Sequence, residues 1–149
     1  MTSLNIGKMY PDLYQAVTSL HQKTIKHLAD TGISEGFTHL LMLRASLINS
    51  CAFCIRMHAN DAISCGETLD RITLLNAWHE CDYFTDAEKT ALKIVEHITL
   101  ISSQPNLHQS IGNARAYFND QQIAAIEWLA IVINMWNRIA ISSRYSVKP

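Results

Sequence analysis

The sequence predicts an all-α helical bundle, and three observations carry that reading. The 149 residues contain only 5 Gly and 3 Pro. Runs of β-branched residues are few, and no Asn-Gly or Asp-Gly pair marks a hairpin. Apolar residues recur at helical spacing between residues that start and stop helices.

The elements follow in order. Pro11 is tolerated at a helix start, and Leu13, Ala16, Val17, Leu20, Ile25 and Leu28 form a partial apolar face, so a first helix is expected over Asp12–Asp30, stopped by Gly32. Ser34 caps a second helix carrying Phe37, Leu40, Leu41, Leu43, Leu47 and Ile48 and ending near Asn49. A third is expected from Cys51 to Gly66 and a fourth from Leu69 to Trp78. Thr85 and Glu88 form a capping box that opens a fifth helix reaching Ile101. Ser102–Asn106 breaks the pattern. A shorter helix covers His108–Tyr117. Asn119 or Asp120 then caps a long last helix to Ser143, apolar on more than one side through Ile123, Ile126, Leu129, Ala130, Ile133, Trp136, Ile139 and Ala140. Such a helix is central in the core or shared with another subunit.

Length points to a single domain over 1–149, and a chain of this size buries a core without disulfide or metal staples. Charged residues make up 17%, below the usual roughly 25%. That deficit suggests surface lost to an oligomer interface. The formal charge of -1 argues against a nucleic-acid partner. Without an apolar run of roughly 18 residues, no transmembrane helix is expected. Met1–Tyr10 lacks the basic start and apolar run of a signal peptide.

Cysteine placement is uneven. Cys51 and Cys54 form a C-x-x-C, and His58 follows four residues later. On a helix these positions share a face, so two sulfurs and an imidazole can meet. The thiolate is the reactive form of cysteine, and the N-H groups at a helix start favour negative charge. A neighbouring His can take or return the proton, and a second thiol can resolve an oxidised first one. The spacing suits reversible two-electron thiol chemistry. C-x-x-C alone is also found in metal sites and among inert buried cysteines. The haem motif is excluded, because Ile55 and not His follows the second Cys. No haem, flavin or nucleotide signature is present, so no cofactor is expected.

The flanks narrow the reading. Leu43-Arg44-Ala45-Ser46-Leu47-Ile48-Asn49-Ser50-Cys51-Ala52-Phe53-Cys54-Ile55-Arg56-Met57-His58 resembles the core of the AhpD-like alkylhydroperoxidase and carboxymuconolactone decarboxylase family. Leu75-Asn76-Ala77-Trp78 and Phe84-Thr85-Asp86-Ala87-Glu88-Lys89-Thr90-Ala91-Leu92 resemble its Trp-containing helix and acidic helix cap. Tyr117-Phe118-Asn119-Asp120-Gln121-Gln122-Ile123 and Asn134-Met135-Trp136-Asn137-Arg138 resemble the last helix of its short members. The resemblance runs from about Ser34 to Arg144.

The resemblance implies an AhpD-like helical bundle, oligomeric as a trimer or hexamer, that reduces small alkyl hydroperoxides. It implies that Cys54 attacks the peroxide, that Cys51 resolves it and that His58 serves a proton relay. An external dithiol protein would then reduce the disulfide in the cytoplasm, as the missing signal and the dithiol also suggest. Three positions depart from the family pattern. The relay Glu, twelve residues before the first Cys, is His39 here; a His accepts a proton but supplies no fixed negative charge. Phe53 replaces a frequent Tyr, and Ser50 a frequent Gly. Decarboxylase activity is less supported, because those members do not use the dithiol.

Two rival readings stand beside this one. His39, Cys51, Cys54 and His58 are a Cys2His2 set with the ligand types and number for zinc. Alternatively, the chain is a catalytically degenerate oligomeric member that keeps the fold. Cys65 is expected to be a packing residue at a helix end, and Cys81 an inert thiol. His79 and Glu80 read as a solvated helix end. Trp78, Trp128 and Trp136 read as core or interface anchors. Arg44 and Arg56 read as members of surface ion pairs. Arg138, on an apolar helix, needs a partner, with Glu127 or Asp120 as candidates.

Overall fold

The computed structural model describes residues 3–149, and among these it contains eight α-helices and one 3-10 turn, with no strand. The helices are α1 (Ile6–Met9), α2 (Pro11–Asp30), α3 (Glu35–Ile48), α4 (Ala52–Ser64), α5 (Leu69–Leu74), α6 (Asp86–Thr99), α7 (Leu107–Ala114) and α8 (Asp120–Ser142); the 3-10 turn covers Leu75–Glu80.

Most starts lie where local chemistry puts them. Ser34 accepts the Phe37 N–H, Thr85 and Glu88 exchange both capping-box bonds, and Asn119 and Gln122 do the same at α8. Four details differ from the sequence reading, one being that α7 ends at Ala114 rather than at Tyr117. The short α1 was not expected; Asn5 caps it by accepting the Lys8 N–H. The fourth helix does not run to Trp78: it gives way to the 3-10 turn, whose Ala77 has non-helical φ/ψ of -118° and 31°. The expected fifth helix, α6, stops at Thr99, short of Ile101, because Leu100 turns away with φ -104° and ψ 32°.

The core lies where α3, α6 and α8 converge. Leu40, Leu41, Leu92, Ile94, Ile126, Leu129 and Ile133 are fully buried there. At roughly 1.5–3 kcal/mol for each fully buried aliphatic side chain, this contact dominates the favourable side of folding. The 23-residue α8 has the length and a mean hydropathy (1.3) of a membrane span, yet half of that stretch is buried inside the bundle. It is the core helix of this fold, and its outer face exposes Trp128, Ile131 and Ile141.

Polar groups cross this core as a connected network. Asn137 is fully buried; its Nδ2 donates to Ser46 Oγ (3.0 Å), and its Oδ1 accepts from Asn49 Nδ2 (2.8 Å). The Asn49 amide also donates to Asn134 Oδ1 (2.9 Å), and Asn134 Nδ2 donates to Thr99 Oγ1 (2.9 Å). Arg138 finds its partner here. It donates to Asn134 Oδ1 (2.8 Å) rather than to Glu127 or Asp120, and Asp120 pairs with Arg115 instead. On an α-helix the residue four positions back lies on the same face, closer than either carboxylate.

Arg44 is not a surface ion pair. It is largely buried, and its Nε and the Trp78 indole N–H both donate to Glu96 Oε1 at 2.6 Å. Arg56 donates to the Lys148 carbonyl and not to a carboxylate. Arg71 ties three segments together, donating to Glu67, Glu88 and the Tyr83 carbonyl while its guanidinium lies 4.8 Å from the Phe84 ring centroid.

Two stability outcomes follow from these networks. Asn137→Ala removes the donor to Ser46 Oγ and the acceptor of one Asn49 amide hydrogen, leaves a small cavity in the core, and is expected to destabilise by about 2–4 kcal/mol, read from urea unfolding midpoints. Desolvation alone would raise the Glu88 pKa, but hydrogen bonds from Arg71 and the Thr85 N–H outweigh it and hold the carboxyl below its usual 4.5. A depressed folded pKa contributes stability above the unfolded value and loses it as pH falls through the folded one. Glu88→Gln is therefore expected to lower the melting temperature at neutral pH and to flatten its further fall below pH 4.5, measured by thermal melts across that range.

Candidate active site

Cys51 stands at the junction of two helices, and its backbone serves one while its side chain serves the other. The Cys51 N–H donates to Ser46 O (3.0 Å) and the Ser50 N–H to Leu47 O (3.2 Å), which together close α3 in a Schellman motif. That motif requires a left-handed residue, and Ser50 supplies it with φ 55°. The position where the resembling family often has Gly is thus one that glycine adopts without steric strain. On the other side, Cys51 is the N-cap of α4, and its Sγ accepts the Cys54 N–H at 3.4 Å.

The structure joins Cys51 and Cys54 as a disulfide, with Cα atoms 5.3 Å apart. Both cysteines are almost fully buried against Ala140, and Phe53 and Tyr145 pack edge to face beside them with centroids 5.2 Å apart. Phe53 has no hydroxyl to place here, and the Tyr145 that packs on it comes from the C-terminal segment.

His58 lies one turn beyond Cys54 on α4 and is 3% exposed. Its Nδ1 faces the Nδ1 of His39, from α3, at 3.4 Å. Burial first, then the neighbouring His39 and His21, push the His58 pKa down to about 3. His21, on α2, is lowered too, by burial and by His39, and its buried Nδ1 has no hydrogen-bond partner. Asp61 stands at the edge of the pair, its Oδ2 4.0 Å from His39 Nδ1.

The four residues singled out from sequence therefore fall into two pairs. Cys51 and Cys54 are bonded to each other, and His39 meets His58 across the α3–α4 contact. They are not gathered as one Cys2His2 ligand set. Among the described residues, the groups of three candidate ligand atoms lying within 4.8 Å of one another are His39–His58–Asp61 and Glu35–His39–Cys65. Cys65, expected to be a packing residue, is exposed at the C-cap of α4; the chain turns outward there into Gly66, whose φ is 93°. His79 and Glu80 are exposed at the end of the 3-10 turn, as expected of a solvated end.

Two site residues escaped the sequence reading. Asp61 was detectable: it follows His58 by three residues and Cys54 by seven, on the same helical face. His21 was not, because only tertiary packing brings α2 to α3. A cavity of about 440 Å3 opens beside His39, lined by His21, Ile25, Ala29, Ile33, Glu35 and Thr38. A larger groove, about 520 Å3, lies between α2 and α8 and touches none of these histidines or motif cysteines except through helix α2 itself.

Chemically, the site offers a dithiol that can close, at a helix N-terminus that favours thiolate, with the imidazoles of His58 and His39 leading toward the cavity.

Comparison with known proteins agrees with this architecture. The carboxymuconolactone decarboxylase family profile matches residues 11–97. An uncharacterized protein of Bacillus subtilis, YdfG, is 39% identical over 117 residues, covering 78% of this chain and 80% of that one. A crystal structure from Agrobacterium tumefaciens, of a protein of unknown function with the provisional name antioxidant defence protein AhpD, superposes with a TM-score of 0.87 at 32% identity, covering 100% of this chain and 99% of the other. With the family profile spanning more than half of its length and the whole fold shared, this chain belongs to the carboxymuconolactone decarboxylase family and has an AhpD-like fold.

Proposed function

We propose that the protein is a thiol peroxidase that reduces small organic hydroperoxides through the Cys51–Cys54 pair. The observation that carries this reading is the closed dithiol at the N-terminus of α4, with His58 one turn on and backed by His39. In the reduced protein the Cys54 thiolate attacks the outer peroxide oxygen. The O–O bond breaks, the alcohol leaves with a proton, and Cys54 becomes a sulfenic acid. Cys51 then attacks that sulfur, water leaves, and the disulfide forms. An external dithiol protein returns the pair to thiols by exchange and is itself oxidised to a disulfide.

Proton movement falls to the two histidines. His58 is buried and neutral, so it is able to accept but holds a proton only briefly. His39 lies between His58 and the cavity and passes the proton outward. The cavity's Ile25, Ala29 and Ile33 suit the alkyl group of an organic hydroperoxide, and its polar Thr38 and His21 suit the peroxide end. The same reading carries a reducing, cytoplasmic setting and a homo-oligomer, for which the exposed Trp128, Ile131 and Ile141 of α8 offer apolar surface.

Two outcomes test the mechanism. Cys54→Ser abolishes turnover of an organic hydroperoxide. Cys51→Ser still takes up one oxygen, yet never shows the loss of two mass units that marks the disulfide, read by intact mass after one equivalent of peroxide. Full turnover in both variants would sink the dithiol mechanism. His39→Glu supplies the fixed negative charge the site lacks and is expected to raise kcat severalfold, whereas His39→Phe lowers it at least tenfold, both measured in steady state with a dithiol reductant.

A further inference from the structure

The His39–His58 contact is oddly spaced for a hydrogen bond. Its 3.4 Å between Nδ1 atoms exceeds the roughly 2.7–3.2 Å of a good N–H hydrogen bond. It does match another spacing. Two imidazole nitrogens each about 2.05 Å from one tetrahedral metal ion lie about 3.3 Å apart. The rings are tilted by 36° with centroids 5.7 Å apart, so they are not stacked, and the short approach is between the two Nδ1 atoms.

A third ligand stands next to them. Asp61 follows His58 by three residues on α4, and its Oδ2 is 4.0 Å from His39 Nδ1; all three candidate ligand atoms lie within 4.8 Å of one another. A metal-bound oxygen and nitrogen in the same geometry would be about 3.3 Å apart, so Asp61 need approach His39 by less than about 1 Å and His58 by at most about 1.5 Å. Its side chain is 47% exposed and free to make that adjustment, whereas His58 is buried and held. The set is two imidazoles and a carboxylate, borderline and hard donors that suit divalent first-row ions, with a fourth position left for water.

We propose that His39, His58 and Asp61 form a binding site for a divalent transition-metal ion of the zinc type, separate from the dithiol. The metal takes the same two Nδ1 lone pairs that the proton path uses, so occupancy and peroxide turnover exclude each other; this consequence rests on the peroxidase reading, whereas the binding itself does not.

The test is titration calorimetry with zinc chloride on the full chain, oxidised so that Cys51 and Cys54 are closed, and carrying Cys65→Ser and Cys81→Ser so that no thiolate remains. One zinc per chain is expected, with affinity weakened at least tenfold by Asp61→Ala and at least tenfold by His39→Ala. Circular dichroism and thermal melts of both variants establish that they fold, and Asp61→Asn, which keeps the side-chain volume, gives a second reading at the exposed position. Absence of zinc uptake, or uptake unchanged in Asp61→Ala and Asp61→Asn, overturns the proposal. So does uptake seen only when Cys65 is restored, which assigns the ion to Glu35, His39 and Cys65. Because the oxidised protein is inactive as a peroxidase, none of these results depends on turnover; failure of the peroxidase reading would show in the cysteine variants alone.

Discussion

Two residues, Asn49 and Ser50, lie between the last residue of α3 and the N-cap of α4, and the site depends on that reversal. One helix must end, the chain must turn back, and a second helix must begin with its N–H groups aimed at a thiol. Cys51 makes this possible by using its two halves separately. Its N–H satisfies a carbonyl of α3, and its sulfur satisfies an N–H of α4. Ser50 takes the left-handed conformation that the motif requires, at about 1–2 kcal/mol relative to a right-handed one. The position of the cysteine pair is therefore set by backbone hydrogen bonding before any side-chain packing contributes.

That turn is also tied to the far end of the chain. Asn49 donates both amide hydrogens to α8, one to Asn134 and one to Asn137. Asn137 in turn holds Ser46, whose carbonyl receives the Cys51 N–H. A buried amide left unpaired is expensive in this interior, so these bonds select one register of α8 against α3. Ala140 and Tyr145, which pack on the cysteines, are carried into place by the same register. The dithiol is assembled from residues about ninety positions apart even though its two cysteines are three positions apart.

The electrostatics of the site follow from what is missing around His58. Burial removes its hydration, and the imidazoles of His39 and His21 add to the effect. Both effects favour the neutral ring. Asp61, the acid beside the His39–His58 pair, is about half exposed. A buried imidazole held neutral in this way presents a lone pair that is not already protonated.

Much of the architecture was legible in the sequence. Ser34, Thr85–Glu88 and Asn119–Gln122 announce helix starts because capping is a matter of a few consecutive residues. The C-x-x-C with its following His was legible for the same reason, since one helix turn fixes which side chains share a face. The kink at Ala77 and the short α1 were not, because 3-10 geometry and a four-residue helix are decided by what packs around them. Nor could sequence say that Arg138 would choose Asn134, or that Cys65 would face outward. The composition determined helices, and local spacing determined the dithiol and its adjacent imidazole. Tertiary structure alone decided that His39 meets His58 and Asp61 while the cysteines pair with each other, because that choice depends on the distance and rotation between α3 and α4, which side-chain volumes and buried amides across the bundle set together.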